Sequence, residues 1–227
     1  MSSQTTKQLF VMTMILLLSA SAVNCQSMFT GRITYEISYP GSAIDYATRQ
    51  QLPDEIEIVA NDELVRTEME AGELHQVKIT NSEDKSVTTI LEILREEYVI
   101  RKSHDEVKES IRELPEPRIT YTDETKEILG YECKKAEAVV YDQFGDEQVI
   151  EIYYTEEIKG EPFNFDLPYN EIPGLMLEYE VRAGNLNMRY EATEIKSRWG
   201  IFISSRNFRV PSDAAEITFE ELQDKLQ

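Results

Sequence analysis

From Ile33 onward the chain alternates apolar and polar side chains with period two. Ile33, Tyr35, Ile37 and Tyr39 are separated by Thr34, Glu36 and Ser38, the pattern of a strand with one wet face. The rhythm returns at Ile56 and Ile58, at Val77 and Ile79, from Thr89, Leu91 and Ile93 to Val99, over Ala136 to Tyr141, and at Ile150, Ile152 and Tyr154. It continues at Leu175, Leu177, Tyr179 and Val181, then at Leu186, Met188, Tyr190 and Ala192, and lastly at Ile201, Ile203 and Phe208. About ten strands are predicted from this alternation.

Turn chemistry separates the strands. Asn61-Asp62, Ala71-Gly72, Asn81 to Asp84, Phe144-Gly145-Asp146 and Ala183-Gly184-Asn185 supply residues that tolerate tight or left-handed backbone. Most of these links are short enough for hairpins, which join antiparallel neighbours. A parallel sheet, covered on both faces, would instead read as continuous apolar runs. The predicted fold class is mainly β: one large curved antiparallel sheet with about one to three short helices. Thr218 and Glu221 form a capping box at the head of a short helix from Thr218 to Leu226. A second helix is predicted from Ala43 to Gln51, after Ser42 and before Pro53. The stretch Glu106 to Leu114 spaces Val107, Ile111 and Leu114 helically without deciding the matter.

The first residues are of another kind. Met1 to Gln8 is polar with Lys7 as its cation, Leu9 to Leu18 is apolar and uncharged, and Ser19-Ala20-Ser21-Ala22 follows. These are the three parts of a signal peptide, and the apolar core falls short of the ~20 residues that span a bilayer. Residues 1–25 are read as an export signal and 26–227 as a single antiparallel β domain. Two processing routes stay open. Ala20 and Ala22 form a small-x-small cleavage site, while Cys25 is the candidate for lipidation, although Asn24 stands where a lipobox has a small residue. The expected location is the periplasm, the outer membrane or the exterior, with membrane association only through a lipid on Cys25. If Cys25 is removed or acylated, Cys133 is the sole thiol and no disulfide can close within the chain.

Composition narrows the function classes. Of 227 residues 41% are hydrophobic, so the chain is expected to fold. Forty-three Asp and Glu face 23 Lys and Arg, a net charge of -20, which excludes the phosphate-wrapping chemistry of nucleic-acid binding. Like-charge crowding predicts that salt stabilises the fold, and that crowded carboxylates with raised pKa values make mild acidification stabilising. His75 and His104 lie outside any H-x-x-x-H, H-E-x-x-H or Cys/His pattern, and no G-x-S-x-G, Walker or G-x-G-x-x-G motif occurs. No catalytic residue, metal or cofactor is assigned, and the protein is expected to be non-enzymatic. What remains is apolar: Tyr153, Tyr154, Leu175, Leu177, Tyr179, Met188 and Trp199 are candidates for lining a hydrophobic ligand site, or else they form the core.

Two blocks carry a resemblance. Thr122 to Ala136 (TDETKEILGYECKKA), followed by Ile152 to Ile158 (IYYTEEI), resembles the central signature of an uncharacterised family of exported bacterial envelope proteins. Ile172 to Tyr179 (IPGLMLEY) is similar to the GLPGLI block that names its close relatives, with Ile172 in place of the first Gly-Leu pair and Met176 in place of a small residue. The resemblance implies a fold like that of the bacterial lipoprotein carriers, an incomplete barrel with helices over its concave face. It implies an exported protein that binds an acyl chain, a lipoprotein or another hydrophobic partner. The alternative expectation is a packed-core structural or protein-interaction module of the cell envelope.

Overall fold

The computed structural model describes residues 29–226 except 94, 115, 142–144, 184–185 and 198–202. The described residues form one mostly antiparallel open sheet of twelve strands with a few short helices. β1 (Gly31–Ser38), β2 (Glu55–Ala60), β3 (Leu64–Ala71), β4 (Leu74–Asn81), β5 (Val87–Ile93) and β6 (Glu96–Lys102) run outward as a meander. The chain then crosses to the far edge and returns through β7 (Arg118–Ile128), β8 (Tyr131–Tyr141), β9 (Glu147–Lys159), β10 (Gly174–Ala183) and β11 (Leu186–Ser197), which pairs with β1. β12 (Ala215–Glu216) adds a short parallel edge beside β6.

The helices follow local signals. α1 (Tyr46–Arg49) is shorter than predicted and is capped by Asp45, which accepts from the amides of Ala47 and Thr48. The undecided stretch is helical: α2 (His104–Arg112) starts at a capping box of Ser103 and Glu106. α4 (Phe219–Leu226) begins at the predicted box, where the Glu221 amide donates to Thr218 Oγ1 at 3.1 Å and the Thr218 amide to Glu221 at 2.8 Å. Phe208, predicted at the end of a strand, lies instead in a 3-10 turn over Ser205–Phe208. The alternation missed β3, β12, α3 (Glu161–Asn164) and β7, the last an edge strand whose side chains are mostly exposed and so need no apolar period.

The sheet curves, and the link between β9 and β10 fills its concave side. α3 touches both β10 and the distant β3 and β4. Lys78 on β4 pairs with Asp166 at 2.6 Å, Lys85 pairs with Glu161, and the Lys85 ammonium stands 5.2 Å above the Phe165 ring. Tyr169 and Ile172 from the same link are buried among Ile33, Tyr35, Ile37, Ile58, Ile152, Leu175 and Leu177. Small Ala192 opposite Tyr35 leaves room for that ring to reach past β11, where its hydroxyl donates to the Met176 carbonyl at 2.8 Å. On the opposite face of β2 to β6, Phe208 packs on Val59, Val77, Ile79, Ile90 and Val99. Leu222 of α4 covers Leu91, Tyr98 and Ile100.

Candidate functional site

The outer face of β7 to β11 is a lattice of charge. Lys135, 8% exposed, places its ammonium 2.5 Å from Glu151, 3.4 Å from Glu124 and 3.6 Å from Glu137. Tyr153 donates its hydroxyl to Glu124 at 2.7 Å, and the Lys126 ammonium sits 3.7 Å above the same ring while pairing with Glu178. Arg189 closes the lattice on Glu178 at 2.5 Å. The bond to Glu124 raises the Tyr153 phenol to about 12, and the same bond, before Lys135, lowers Glu124. Each group here is answered by a partner, so this lattice holds strands together and leaves little for a ligand.

A second polar region differs. The segment 204–211 runs across the outer face of β2 to β6 and leaves a cleft of about 540 Å³ beneath it. The Ala71-Gly72 turn sets the register that opposes Glu70 to His75, and β5 then places Glu92 opposite His75. The His75 Nε2 lies 2.7 Å from Glu68 and its Nδ1 is 3.9 Å from Glu92. Glu68 also accepts from Arg66. The Arg66 bond first, then that from His75, holds the Glu68 carboxyl at about 2, against an ordinary 4.5. Arg206, Asn207 and Arg209 line the opposite wall. Ser204 caps the turn that presents them, accepting from the Arg206 amide at 3.2 Å, and Phe208 anchors it below.

A folded-state pKa below the unfolded one contributes stability that is present above the unfolded value and lost as pH falls through the folded value. Glu68→Gln is therefore expected to lower the melting temperature fully at about pH 6, less below 4.5 and not at all near 2. A gap independent of pH would show that the carboxylate is not what Arg66 and His75 stabilise. Four further carboxylates share this sign. Asp45, held down by the Thr48 amide, Asp84 by Ser86 and Glu106 by Ser103 are all lowered, as are Glu68 and Glu124. Local hydrogen bonds hold these five carboxylates down, and the stability they contribute is lost as pH falls below the ordinary carboxylate range.

The apolar candidates do not share a surface. Adjacent strand residues point to opposite faces, so Tyr153 joins the outer lattice while Tyr154 meets Tyr121 edge-on, with ring centroids 6.1 Å apart. Leu175, Leu177 and Tyr179 are buried in the core, where Tyr179 stacks on Tyr190 at 4.9 Å. Met188 is half-buried at the core margin and accepts from the Tyr190 hydroxyl at 3.8 Å. Trp199 and Cys25 lie outside the described residues. Cys133 is fully buried, and burial pushes its thiol up to about 11, away from reactivity. The cleft residues were missed because two of its sides come from segments more than a hundred residues apart; the hairpin register around Gly72 was the one readable signal.

Fold and site define an antiparallel β domain whose concave side is occupied by its own Tyr169 and Ile172 and whose outer face offers a cleft of mixed charge. The chain belongs to the family described as N-glycanase peptide, N-terminal domain, whose model matches residues 46–207. Two solved structures of PNGF-II, in space groups C2 and P21, are similar in fold, with TM-scores of 0.55 and 0.54 and 22% identity. Each match covers 86% of this chain but 32% of the PNGF-II chain, so this chain spans about a third of that length. No curated protein matches.

This membership corrects the sequence reading. The chain is not of the GLPGLI type, nor of the lipoprotein-carrier kind. The expectations of a hydrophobic-ligand carrier, of a structural envelope module and of a non-enzymatic protein fall with it, since the family takes its description from an N-glycanase. The blocks misled because they encode local turns. Leu129 and Gly130 both take positive φ in the β7–β8 hairpin, at 52° and 84°, and the β9–β10 register shifts between Gly174 and Leu175. Unrelated sheets need the same residues at such places.

Proposed function

We propose that this chain works in the release of N-linked glycans from glycoproteins, as a domain of an exported N-glycanase. The family match over residues 46–207 carries this reading. The mixed donors and acceptors of the outer cleft suit a glycosylated substrate better than an apolar one. Removal of the chain from a native extract of the producing cells with a specific antibody tests it. Glycan release, read as the mass lost by an added N-glycoprotein, is expected to fall at least tenfold and to return when the purified chain is added back. Undiminished release after depletion would overturn the proposal.

Export through residues 1–25, leaving 26–227 as one domain, is part of the same proposal and is supported by the apolar run Leu9 to Leu18 before Ala20 and Ala22. The intact mass of the native protein is expected to begin after Ala22, or at Cys25 with an added lipid. A cytoplasmic product still beginning at Met1 would sink it.

A further inference from the structure

We propose that the cleft between segment 204–211 and the outer face of β2 to β6 is a binding subsite for a neutral carbohydrate. The inference rests on the reading of the chain as part of an N-glycan-releasing protein and deepens it by naming a site.

Charge singles the cleft out. The chain as a whole carries 43 acids against 23 bases, yet four carboxylates here (Glu57, Glu68, Glu92 and Glu97) face three arginines and a histidine. By contrast, the cleft between α2, β12 and the start of α4 sets six glutamates against Arg101 and Lys102. Near-balanced charge favours neither a simple anion, which four carboxylates repel, nor a cation, which the guanidiniums repel. It favours a ligand whose groups both donate and accept, and a sugar hydroxyl does both.

The bonding groups are open. Among the described residues the Arg206 and Arg209 side chains make no ion pair, although Glu92 and Glu97 line the same cleft. A diol can bridge them, donating to a carboxylate on one wall and accepting from a guanidinium on the other. The other wall is pre-organised: Arg66 and His75 hold Glu68 as an acceptor. The volume of about 540 Å³ lies within the ~300–1,000 Å³ usual for small-ligand sites.

The test uses the chain labelled with ¹⁵N and titrated separately with N,N′-diacetylchitobiose, mannobiose and inorganic phosphate. At least one disaccharide is expected to shift the amides of residues 204–211 and of β4 and β5, with a Kd in the millimolar range or tighter. The double variant Arg206→Ala with Arg209→Ala is expected to weaken that binding at least tenfold with its spectrum otherwise native, while Arg101→Ala, in the acidic cleft, binds as the parent does. Arg206→Lys with Arg209→Lys, which keeps the charge and loses the planar fork, is expected to fall between the two. No shift with either sugar, shifts confined to other strands, or undiminished binding by the double variant would overturn the proposal, as would tighter binding of phosphate at the same amides. Glycan release lost on depletion, with no sugar bound here, removes this site and leaves the function standing. Sugar bound here, with release unaffected by depletion, does the reverse.

Discussion

Gly174→Ala is expected to lower the melting temperature by about 6–12 °C, the shift that follows from a loss of roughly 3 kcal/mol in a chain of this size. A Cβ at Gly174 would stand 2.1 Å from the Thr155 carbonyl oxygen and 2.9 Å from the Tyr154 ring. The carbonyl is backbone on the neighbouring strand and cannot swing aside as a long side chain would. The pair β9–β10 already shifts register beside Gly174, so the pairing there has no slack to absorb a methyl group. Gly160→Ala meets the same obstacle, since its Cβ would lie 2.1 Å from the Gly174 carbonyl oxygen. By comparison Gly41→Ala meets open space and suffers chiefly from its φ of +69°. Thermal melts of the three variants check the order; a Gly174→Ala protein as stable as the parent would show that the strands part freely at this point.

Asn164→Ala is expected to cost about 3 kcal/mol and to release the segment that fills the concave face. Asn164 is 1% exposed, and its amide nitrogen donates to the carbonyls of Ile172 at 3.1 Å and Gly174 at 2.9 Å. Truncation leaves two buried acceptors without donors, each worth about 1–3 kcal/mol when unsatisfied. Asn164→Asp keeps the shape and removes the donor, placing a carboxylate against two carbonyls, and is expected to be at least as damaging. Hydrogen exchange distinguishes this from general loosening. Amides of residues 160–173 should exchange faster in Asn164→Ala, while those of β3 to β5 keep their protection relative to global stability. Uniform acceleration across the sheet would mean that the inward link and the sheet open as one unit.

The period-two alternation determined most of the strands, because a strand that buries one face must place apolar residues at every second position. Turn residues determined the hairpins in the same local way. Gly72 at φ +60° and Gly130 at +84° occupy backbone that side chains resist. Thr218 and Glu221 marked a helix start through bonds that span three residues. Where burial does not press on the pattern the reading failed, as at the exposed edge strand β7. The family was misread for a related reason: the blocks at Thr122 to Ala136 and Ile172 to Tyr179 are largely turn and strand chemistry, which many sheets share.

Only the tertiary structure decided what closes each face. Alternation says that a strand has two sides without saying which is concave or what lies against it. The closure depends on pairs far apart in sequence, such as Lys78 with Asp166, 88 residues on, and Tyr35 with Met176, 141 residues on. The link of residues 160–173, with Pro162 and Pro168, reads as a loop, and it becomes core because the curved sheet brings β3 and β4 over it. The outer cleft likewise exists because Phe208 anchors a C-terminal segment over β4 and β5, opposing Arg206 and Arg209 to Glu92 and Glu97. Backbone periodicity is a property of neighbours along the chain and is legible in sequence; the filling of a concave face and the meeting of two cleft walls depend on sheet curvature, which no local window contains.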